Sequence, residues 1–237
     1  MTLLNFNRVE KKYLMKEKEY KELMNLLKNY IEPDEYPVST TNTLYYDTPD
    51  FRIARYSYLK TAFREKIRVR SYDQFPTDNS ESFIELKKKF DGIVYKRRVY
   101  TTVGKALHYL NYDFDAIEKT QIRGELDYFI KRMRTLEPAV YMYYDRNSYK
   151  DKETGDLRFT FDKNIVFRNY DLTLTEGNHG EHIIEPDEIL MEIKVPRPYP
   201  LWLTDALSQL QIYPRSCSKY KSAYERLREK GAITYNG

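Results

Sequence analysis

The sequence has one cysteine, Cys217, and only three histidines among its 237 residues. A single cysteine excludes a disulfide within the chain and is typical of a reducing compartment, so we expect a cytoplasmic protein. Two of the histidines, His179 and His182, lie close together in a loop that contains glycine. This is a weak pattern for a zinc site, and metal chemistry based on histidine is not expected.

Long apolar runs are also missing. No stretch approaches the roughly 18 consecutive apolar residues that a membrane-spanning helix requires. The N-terminal residues lack the apolar segment of a signal peptide. Glycine and proline are scarce, with eight and ten residues, and no linker, repeat or low-complexity segment divides the chain. We therefore expect a single domain over residues 1–237, without a membrane span.

Charged residues are abundant but nearly balanced. Forty lysines and arginines stand against 36 aspartates and glutamates, so the net charge is only +4. A small net charge still permits a strong local field, because a site responds mainly to the charges nearest to it. The distribution of charge along individual strands is therefore the informative feature.

The hydrophobic pattern predicts many strands and a few helices. Strands are expected at 4–15, 42–47, 62–72, 81–89, 93–102, 139–149, 156–162, 164–169 and 188–195. Helices are expected at 17–31, 115–134, 200–211 and 218–228. The turn Phe90-Asp91-Gly92 predicts a hairpin between the fourth and fifth strands. This is an α+β pattern, and closure of the sheet into a barrel would remove its exposed edges.

Charged residues recur at every second position in most of these strands. Residues two apart share one face of a strand, so each strand has a charged face and a largely apolar one. The charged faces combine lysine and arginine with isolated acidic residues. Their members are Arg8, Glu10 and Lys12; Arg64, Lys66, Arg68 and Arg70; Glu85, Lys87 and Lys89; Lys96 and Arg98; Arg146; Arg158, Thr160 and Asp162; and Glu192 with Lys194.

Any one of these faces alone is typical of the solvated side of an antiparallel sheet. As a set they favour a closed antiparallel β-tunnel, with helices on the apolar outer faces and the charges inside. Cations confined in such a space repel one another and lose hydration, so they require an anion or abundant water. Arginine forks and lysines bind phosphate oxygens, and a few carboxylates suit Mg²⁺ or Mn²⁺. The pattern therefore predicts a tunnel that binds a phosphate-rich polyanion.

Nine short motifs occur in order along nearly the whole chain. They are RVEKKY at Arg8–Tyr13, LYYDTPDF at Leu44–Phe51, KIRVRSY at Lys66–Tyr72, IELKKK at Ile84–Lys89, YKRR at Tyr95–Arg98, YYDRNSY at Tyr143–Tyr149, LRFTFD at Leu157–Asp162, LMEIK at Leu190–Lys194 and SKY at Ser218–Tyr220. The ordered set resembles the VTC domain, a polyphosphate polymerase module of the triphosphate tunnel metalloenzymes, which are also called CYTH-like proteins.

This resemblance implies an eight-stranded antiparallel tunnel. It also implies transfer of the terminal phosphoryl group of ATP to a polyphosphate chain, with Mn²⁺ or Mg²⁺. By position in the motifs, Glu192 is implied to bind the metal, and Glu10 is a weaker candidate for the metal shell or for orienting Lys12. The residues implied to hold phosphate are Lys12, Arg68, Arg70, Lys87, Lys96, Arg146, Arg158, Ser218 and Lys219. The charged faces add Arg8, Lys66, Arg98 and Lys194 as candidate substrate-binding residues.

Two alternatives stay open on the sequence. One is a hydrolase of the same fold, acting on tripolyphosphate, thiamine triphosphate or an RNA 5′ end. That reading is weakened at Arg8, which stands where such hydrolases begin an acidic ExExK strand. The other is a non-catalytic domain that binds polyphosphate; nucleic acid is a less favoured ligand, because the cations are expected to face inward. Base stacking is a minor expectation for Tyr45, Tyr46, Tyr143, Tyr144 and Tyr149, since tyrosine also suits a barrel wall.

Overall fold

The computed structural model describes residues 9–91, 93–195 and 198–233. Nine strands are present: β1 (Val9–Lys16), β2 (Ile31–Asp47), β3 (Phe63–Ser71), β4 (Glu81–Phe90), β5 (Ile93–Thr102), β6 (Glu137–Asp151), β7 (Arg158–Arg168), β8 (Glu181–His182) and β9 (Glu188–Val195) in the described part of the chain. The helices there are α1 (Glu17–Leu27), α2 (Arg52–Tyr58), α3 (Val103–Leu110), α4 (Gln121–Met133), α5 (Leu201–Gln209) and α6 (Lys219–Glu229), with a 3-10 turn at Phe114–Ala116. The α+β prediction is confirmed.

Eight of the strands follow the order β1-β9-β7-β6-β2-β3-β4-β5, and the short β8 pairs with β7. The described pairings β1–β9, β7–β9, β2–β3, β3–β4 and β4–β5 are all antiparallel. This order begins at β1 and ends at β5, and no pairing joins those two strands among the residues the structure describes. The antiparallel sheet is therefore as expected, whereas its closure into an eight-stranded tunnel stays a prediction.

The chain groups into two compact units, each assembled from three stretches of sequence. Unit 1 comprises residues 1–39, 144–165 and 184–217, and unit 2 comprises residues 40–143, 166–183 and 218–237. Strands β2, β6 and β7 each contribute residues to both units. The expectation of one domain stays a prediction.

Helices cover the apolar faces of the strands within each unit. In unit 1, α1 and α5 supply Leu23, Leu27 and Leu203 to a core shared with Phe159 and Ile193 of the sheet. In unit 2, Ile67 and Val69 of β3 and Ile84 and Leu86 of β4 are fully buried. Helix α3 packs against β3, β4 and β5, and α4 packs against β5. Because side chains alternate along a strand, the charged residues that share a face with Arg68, Glu85 and Glu192 lie opposite these helices. Glu65 of β3 is an exception, since it lies on the helix side and forms an ion pair with Arg132 of α4.

Two differences from the predicted strands have identifiable physical causes. Pro33 and Pro37 predicted a loop before residue 42, yet β2 runs through both, as proline allows where its missing N–H is not needed for the ladder. Strand β7 is continuous where two strands were expected. Its residue Asn164 adopts a left-handed conformation, with φ of 50°, and donates its side-chain amide to Asp145 at 2.7 Å. Asparagine tolerates this conformation better than most residues, so the strand bends without ending.

All four predicted helices are present, and the first three are shorter than expected. The helix expected at 17–31 ends at Leu27, and Ile31 already begins β2. The helix expected at 115–134 begins only at Gln121, because the Thr120 side chain accepts from the backbone N–H of Arg123 and caps it there. The sequence did not predict α2, α3 or the short β8. Each helix of the described residues is too short or too polar to cross a bilayer.

Candidate functional site

Three rows of side chains cross strands β3, β4 and β5 on the charged face of unit 2. Cross-strand register aligns Lys66 with Lys87 and Lys96 in the first row, and Arg68 with Glu85 and Arg98 in the second. In the third row, Arg70 is aligned with Phe83 and Tyr100. We call these the cationic rows. They carry six cations and one carboxylate: Lys66, Arg68, Arg70, Lys87, Lys96, Arg98 and Glu85.

Glu85 lies at the centre of the cationic rows and is only 1% exposed. One of its carboxylate oxygens accepts from the guanidinium of Arg68. The other accepts from Lys96 at 2.8 Å and from Arg98 Nη2 at 3.0 Å. Arg68 also donates to the Tyr45 hydroxyl at 3.1 Å, so the Arg68 side chain is fixed from two sides. A single buried carboxylate thus orients three cations.

The cations around Glu85 lower its pKa more than burial raises it. Burial alone would raise the pKa of Glu85, but Arg68, Arg70 and Lys96 hold it well below its usual range. Burial lowers the pKa of Lys96, and the neighbouring arginines Arg98 and Arg68 lower it further, against the opposing effect of Glu85. Charge of one sign is therefore in excess at the cationic rows.

One donor atom and one ammonium at the cationic rows lack a partner in the described residues. The Nε atom of Arg98 is buried and lacks a hydrogen-bond partner there. Lys87 is half-buried and forms no ion pair with any residue that the structure describes. Buried donors without partners are unfavourable, and an anion would satisfy them. Chemically, these donors suit an anion such as phosphate.

The N-terminus of α6 lies beside the first cationic row. The Lys66 ammonium donates a hydrogen bond to the hydroxyl of Ser218 at 2.8 Å, and Ser218 directly precedes α6. Lys219, the first residue of the helix, is 8% exposed. Backbone N–H groups at a helix start favour anions, so this helix end adds to the positive field at Lys66.

Asp47 and Tyr220 fix the position of that helix end. The Tyr220 hydroxyl donates to Asp47 at 2.6 Å, and its ring stacks on Tyr45 with centroids 4.5 Å apart. Asp47 also accepts from the backbone N–H groups of Ile53 and Ala54 in α2 at 2.8 and 2.9 Å. Burial raises the pKa of Asp47, although all these hydrogen bonds act to lower it. Asp47 therefore connects the end of β2 to both α2 and α6.

The charged face of unit 1 is built differently. Register aligns Lys12 of β1 with Glu192 of β9, and Glu192 with Thr160 of β7. The Lys12 ammonium is 2.9 Å from Glu192 and 3.4 Å from Glu10. In the neighbouring row, Lys194 is aligned with Glu10 on one side and with Arg158 on the other.

Two arginines of unit 1, Arg146 and Arg158, are paired with carboxylates. Arg146 donates twice to the fully buried Asp162, from Nε at 2.6 Å and from Nη2 at 2.8 Å. Arg158 is half-exposed and 3.8 Å from Asp34 of β2. Cation and anion are thus close to balanced on this face, in contrast to the cationic rows.

The residues that suit a divalent cation are Glu192 and Glu10. Within the described ranges, no three His, Cys, Asp or Glu side chains come together as a metal-binding group. Mg²⁺ is often held by only one or two carboxylates, with substrate phosphate oxygens completing its shell. The buried Thr160 hydroxyl, aligned with Glu192, has no hydrogen-bond partner among the described residues. This donor set fits a metal that arrives together with a phosphate substrate.

The predicted site residues fall into two groups. Lys12, Arg146, Arg158, Lys194, Glu10 and Glu192 lie in unit 1, and Arg68, Arg70, Lys87, Lys66, Lys96, Arg98, Ser218 and Lys219 lie in unit 2. Arg8 lies outside the described residues. The sequence reasoning missed Glu85 and the Asp47–Tyr220 pair as parts of the site. For Glu85 a signal was present, since it is the lone acid on a face of cations in FIELKKK.

Comparison with solved structures identifies proteins of the same fold. The curated proteins include no match to this chain. A Hippeastrum protein, described as a candidate adenylyl cyclase with a dominant triphosphatase activity, is 16% identical with a TM-score of 0.56 over 97% of this chain and 98% of its own. A candidate adenylate cyclase from Bacillus halodurans is 12% identical with a TM-score of 0.54 over 89% of this chain and 93% of its own. Identities this low establish a shared fold alone.

The decisive comparison is with protein families. The family model of the VTC domain matches residues 7–228, and these include all nine motifs. Together with the fold shared with the two solved structures, this confirms the resemblance found in the sequence. The chain therefore belongs to the VTC domain family.

Proposed function

We propose that this protein is a polyphosphate polymerase-like phosphotransferase. In this proposal it moves the terminal phosphoryl group of ATP onto a polyphosphate chain, with Mn²⁺ or Mg²⁺ as cofactor. The observation that carries it is the excess of cations on the cationic rows, where six lysines and arginines share three rows with one carboxylate and three of them contact it. Membership of the VTC domain family supports the same activity.

The cationic rows suit a chain of phosphates better than a single phosphate. Neighbouring rows are separated by two residues along each strand, or about 7 Å. One phosphate meets the donors of a single row, whereas successive phosphates of a chain meet several. Arg68, Arg70 and Arg98 provide forked donors, and Lys66, Lys87 and Lys96 provide point charges.

Catalysis in this proposal depends on charge and position. Phosphoryl transfer requires in-line geometry and neutralised negative charge more than a covalent nucleophile. The cations held by Glu85 are already oriented, so little reorganisation is needed when negative charge moves during transfer. A general base is not required, because the terminal phosphate oxygen of an acceptor chain is itself anionic near neutral pH.

Glu192 and Glu10 are the residues that would hold the divalent cation. A metal there supplies Lewis-acid polarisation of phosphate oxygens. Lys12, which contacts both carboxylates, keeps them from repelling each other. Arg146, Arg158 and Lys194 would contribute further contacts to phosphate in unit 1.

One incubation tests the proposal. The protein is mixed with ATP and Mn²⁺, and the products are separated on a gel that resolves polyphosphate by length. Chains that lengthen with time, with ADP formed in equal amount to the phosphate incorporated, are the expected result. A matched sample with a metal chelator should yield no chains.

A triphosphatase is the second candidate function. It is favoured by the shared fold with the Hippeastrum protein, which is described as having a dominant triphosphatase activity. The same incubation separates the two functions, because a triphosphatase releases orthophosphate from ATP or tripolyphosphate and makes no chains. Binding of tripolyphosphate without any loss of ATP would instead indicate a non-catalytic phosphate-binding domain.

A further inference from the structure

Three aromatic side chains adjoin the cationic rows of unit 2. Phe83 lies between Tyr72 and Tyr100, with ring centroids 5.6 Å from Tyr72 and 5.9 Å from Tyr100. Phe83 is 3% exposed, whereas Tyr72 is 47% and Tyr100 is 74% exposed. The buried ring therefore supports two rings that remain open to solvent.

Register places this group on the same face as the phosphate-binding side chains. Phe83 and Tyr100 are aligned with Arg70, in the row next to Arg68, Glu85 and Arg98. That separation is two residues along a strand, or about 7 Å. The aromatic surface and the central cations thus lie in neighbouring rows of the same face.

Arg98 connects the aromatic rings to the cations. Its guanidinium lies over the Phe83 ring at 3.8 Å from the centroid and is 5.7 Å from the Tyr100 centroid. The same guanidinium donates to the Tyr100 hydroxyl at 3.2 Å and to Glu85 at 3.0 Å. The Tyr100 ring is thereby held in place while most of its surface stays accessible.

We propose that Tyr100 and Tyr72, supported by Phe83 and Arg98, form the surface on which the base of a nucleoside triphosphate stacks. The inference rests on the proposed function and assigns a base-binding subsite to the nucleotide donor. The phosphates of the same nucleotide occupy the rows of Arg68 and Arg98 and of Lys66, Lys87 and Lys96. The ribose spans the step between the aromatic rings and the first of these rows.

The chemistry of this surface selects a base over other ligands. A nucleobase offers a flat π-face that stacks on tyrosine, and the adjoining cations require that the ligand also carry phosphate. Stacking on a π-face makes no hydrogen bonds to the edges by which adenine and guanine differ. We therefore expect ATP and GTP to bind with affinities within about threefold of each other.

The test compares two ligands that differ in the base and ribose. Metal-free binding of ATP and of tripolyphosphate is measured by calorimetry for the wild type, Tyr100→Ala and Tyr100→Phe. We expect Tyr100→Ala to weaken ATP binding about five- to tenfold. Tripolyphosphate affinity should stay within about twofold, because the phosphate-binding rows are intact. Tyr100→Phe keeps the ring and should retain ATP binding, although it removes the hydrogen bond from Arg98.

Tyr128→Ala is the matched control. Tyr128 is 67% exposed on α4, whose buried residues pack against the apolar side of the sheet. Its removal should change neither affinity. An unchanged ATP affinity in Tyr100→Ala, with tripolyphosphate still bound by the wild type, would overturn the base subsite alone. Equal losses for both ligands would assign Tyr100 to phosphate binding and also overturn it. A wild type that binds neither ligand would overturn the proposed function as well.

Discussion

The charged faces of unit 1 and unit 2 share one sequence pattern and differ in electrostatic balance. On the cationic rows of unit 2, six cations share three rows with the single carboxylate of Glu85, and three of them contact it. In unit 1, Lys12 contacts Glu192 and Arg146 contacts Asp162. A face with excess cations requires an anion, whereas a face of paired charges is complete without one. Phosphate affinity should therefore depend mainly on unit 2, and the charged pairs of unit 1 should depend less on ligand.

The largest effect is expected from breaking the Arg146–Asp162 pair. Asp162 is fully buried, and Arg146→Met removes a partner that donates to both of its carboxylate oxygens. Losing one member of a buried ion pair typically costs about 3–5 kcal/mol, because the other charge stays desolvated. Urea unfolding should show a loss of that size in the free energy of unfolding.

The control for this variant is Lys150→Met, on the same strand. Lys150 is 3.5 Å from Glu32, and both side chains are partly exposed, so its loss should change stability by less than about 1 kcal/mol. The double variant Arg146→Met/Asp162→Leu should recover most of the stability, because no buried charge is left without its partner. Equal stability of Arg146→Met and the wild type would show that this pair is not buried in solution.

The next largest effect is expected for Glu192→Gln, on metal-dependent turnover. Glutamine keeps the shape of the side chain but lacks the charge that a hard cation requires. The variant should fold, because Lys12 retains Glu10 at 3.4 Å. It should bind tripolyphosphate without metal at least as tightly as the wild type, since one negative charge is gone. Turnover of ATP with Mn²⁺ should fall about 100-fold, because Lewis-acid stabilisation of the transferring group is lost.

Glu188→Gln is the control on the same strand. Glu188 is 3.6 Å from the exposed Lys16 and belongs to neither proposed site. Its turnover should match that of the wild type. If Glu192→Gln unfolds, or turns over ATP at the wild-type rate with the same Mn²⁺ dependence, Glu192 is a structural carboxylate and not a metal ligand.

Strand alternation could be predicted from the sequence because it depends only on local geometry. Side chains two apart share a face in every extended strand, so the cations of β3, β4 and β5 were grouped correctly without coordinates. The proline-containing start of β2 was not predicted, since Pro33 and Pro37 are typical of loops. A segment with prolines can join a sheet if the ladder does not need the N–H groups that proline lacks. Whether it needs them depends on the neighbouring strands, which are distant in sequence.

Register and long-range partners could not be read from the pattern. The role of Glu85 depends on its alignment with Arg68 on one side and Arg98 on the other, which alternation leaves open. The Asp47–Tyr220 hydrogen bond joins residues 173 positions apart. A motif such as LYYDTPDF indicates that Asp47 ends a strand, but not that its partner comes from the last helix.

A smaller effect, on stability, is expected for Glu85→Gln. The variant leaves Arg68, Lys96 and Arg98 without their shared carboxylate, although glutamine still accepts hydrogen bonds and Lys96 reaches solvent. We expect a loss of about 2 kcal/mol in the absence of anions. Added tripolyphosphate should restore the midpoint of thermal unfolding, because it binds the folded state and supplies the missing charge.

The pH dependence of stability sharpens this expectation. The pKa of Glu85 is lower in the folded than in the unfolded chain, so the unfolded chain binds more protons in acid. Glu85 should therefore stabilise the wild type above its ordinary pKa of 4.5, and this contribution should decline as pH falls below that value. Glu85→Gln should lack that part of the slope. Glu125→Gln, which removes a partly exposed partner of Arg97, should keep it. Identical acid profiles for Glu85→Gln and the wild type would contradict the role of Glu85.

The smallest effect is expected on tripolyphosphate affinity when one arginine from each unit is replaced. Arg68→Ala should weaken metal-free binding of tripolyphosphate about tenfold, because it removes a charged donor that Glu85 and Tyr45 hold in place. Arg158→Ala should weaken it only about threefold, since Arg158 is half-exposed and its field is reduced by Asp34. Arg97→Ala, on the opposite face of β5 beside Arg98, is the control and should change affinity by less than about twofold.

Calorimetry at two salt concentrations measures the affinities of all three variants. The loss for Arg68→Ala should shrink at higher salt, because screening weakens the field. Equal losses for Arg68→Ala and Arg158→Ala would mean that the two faces contribute alike, and the contrast between balanced and unbalanced charge would then not govern where phosphate binds.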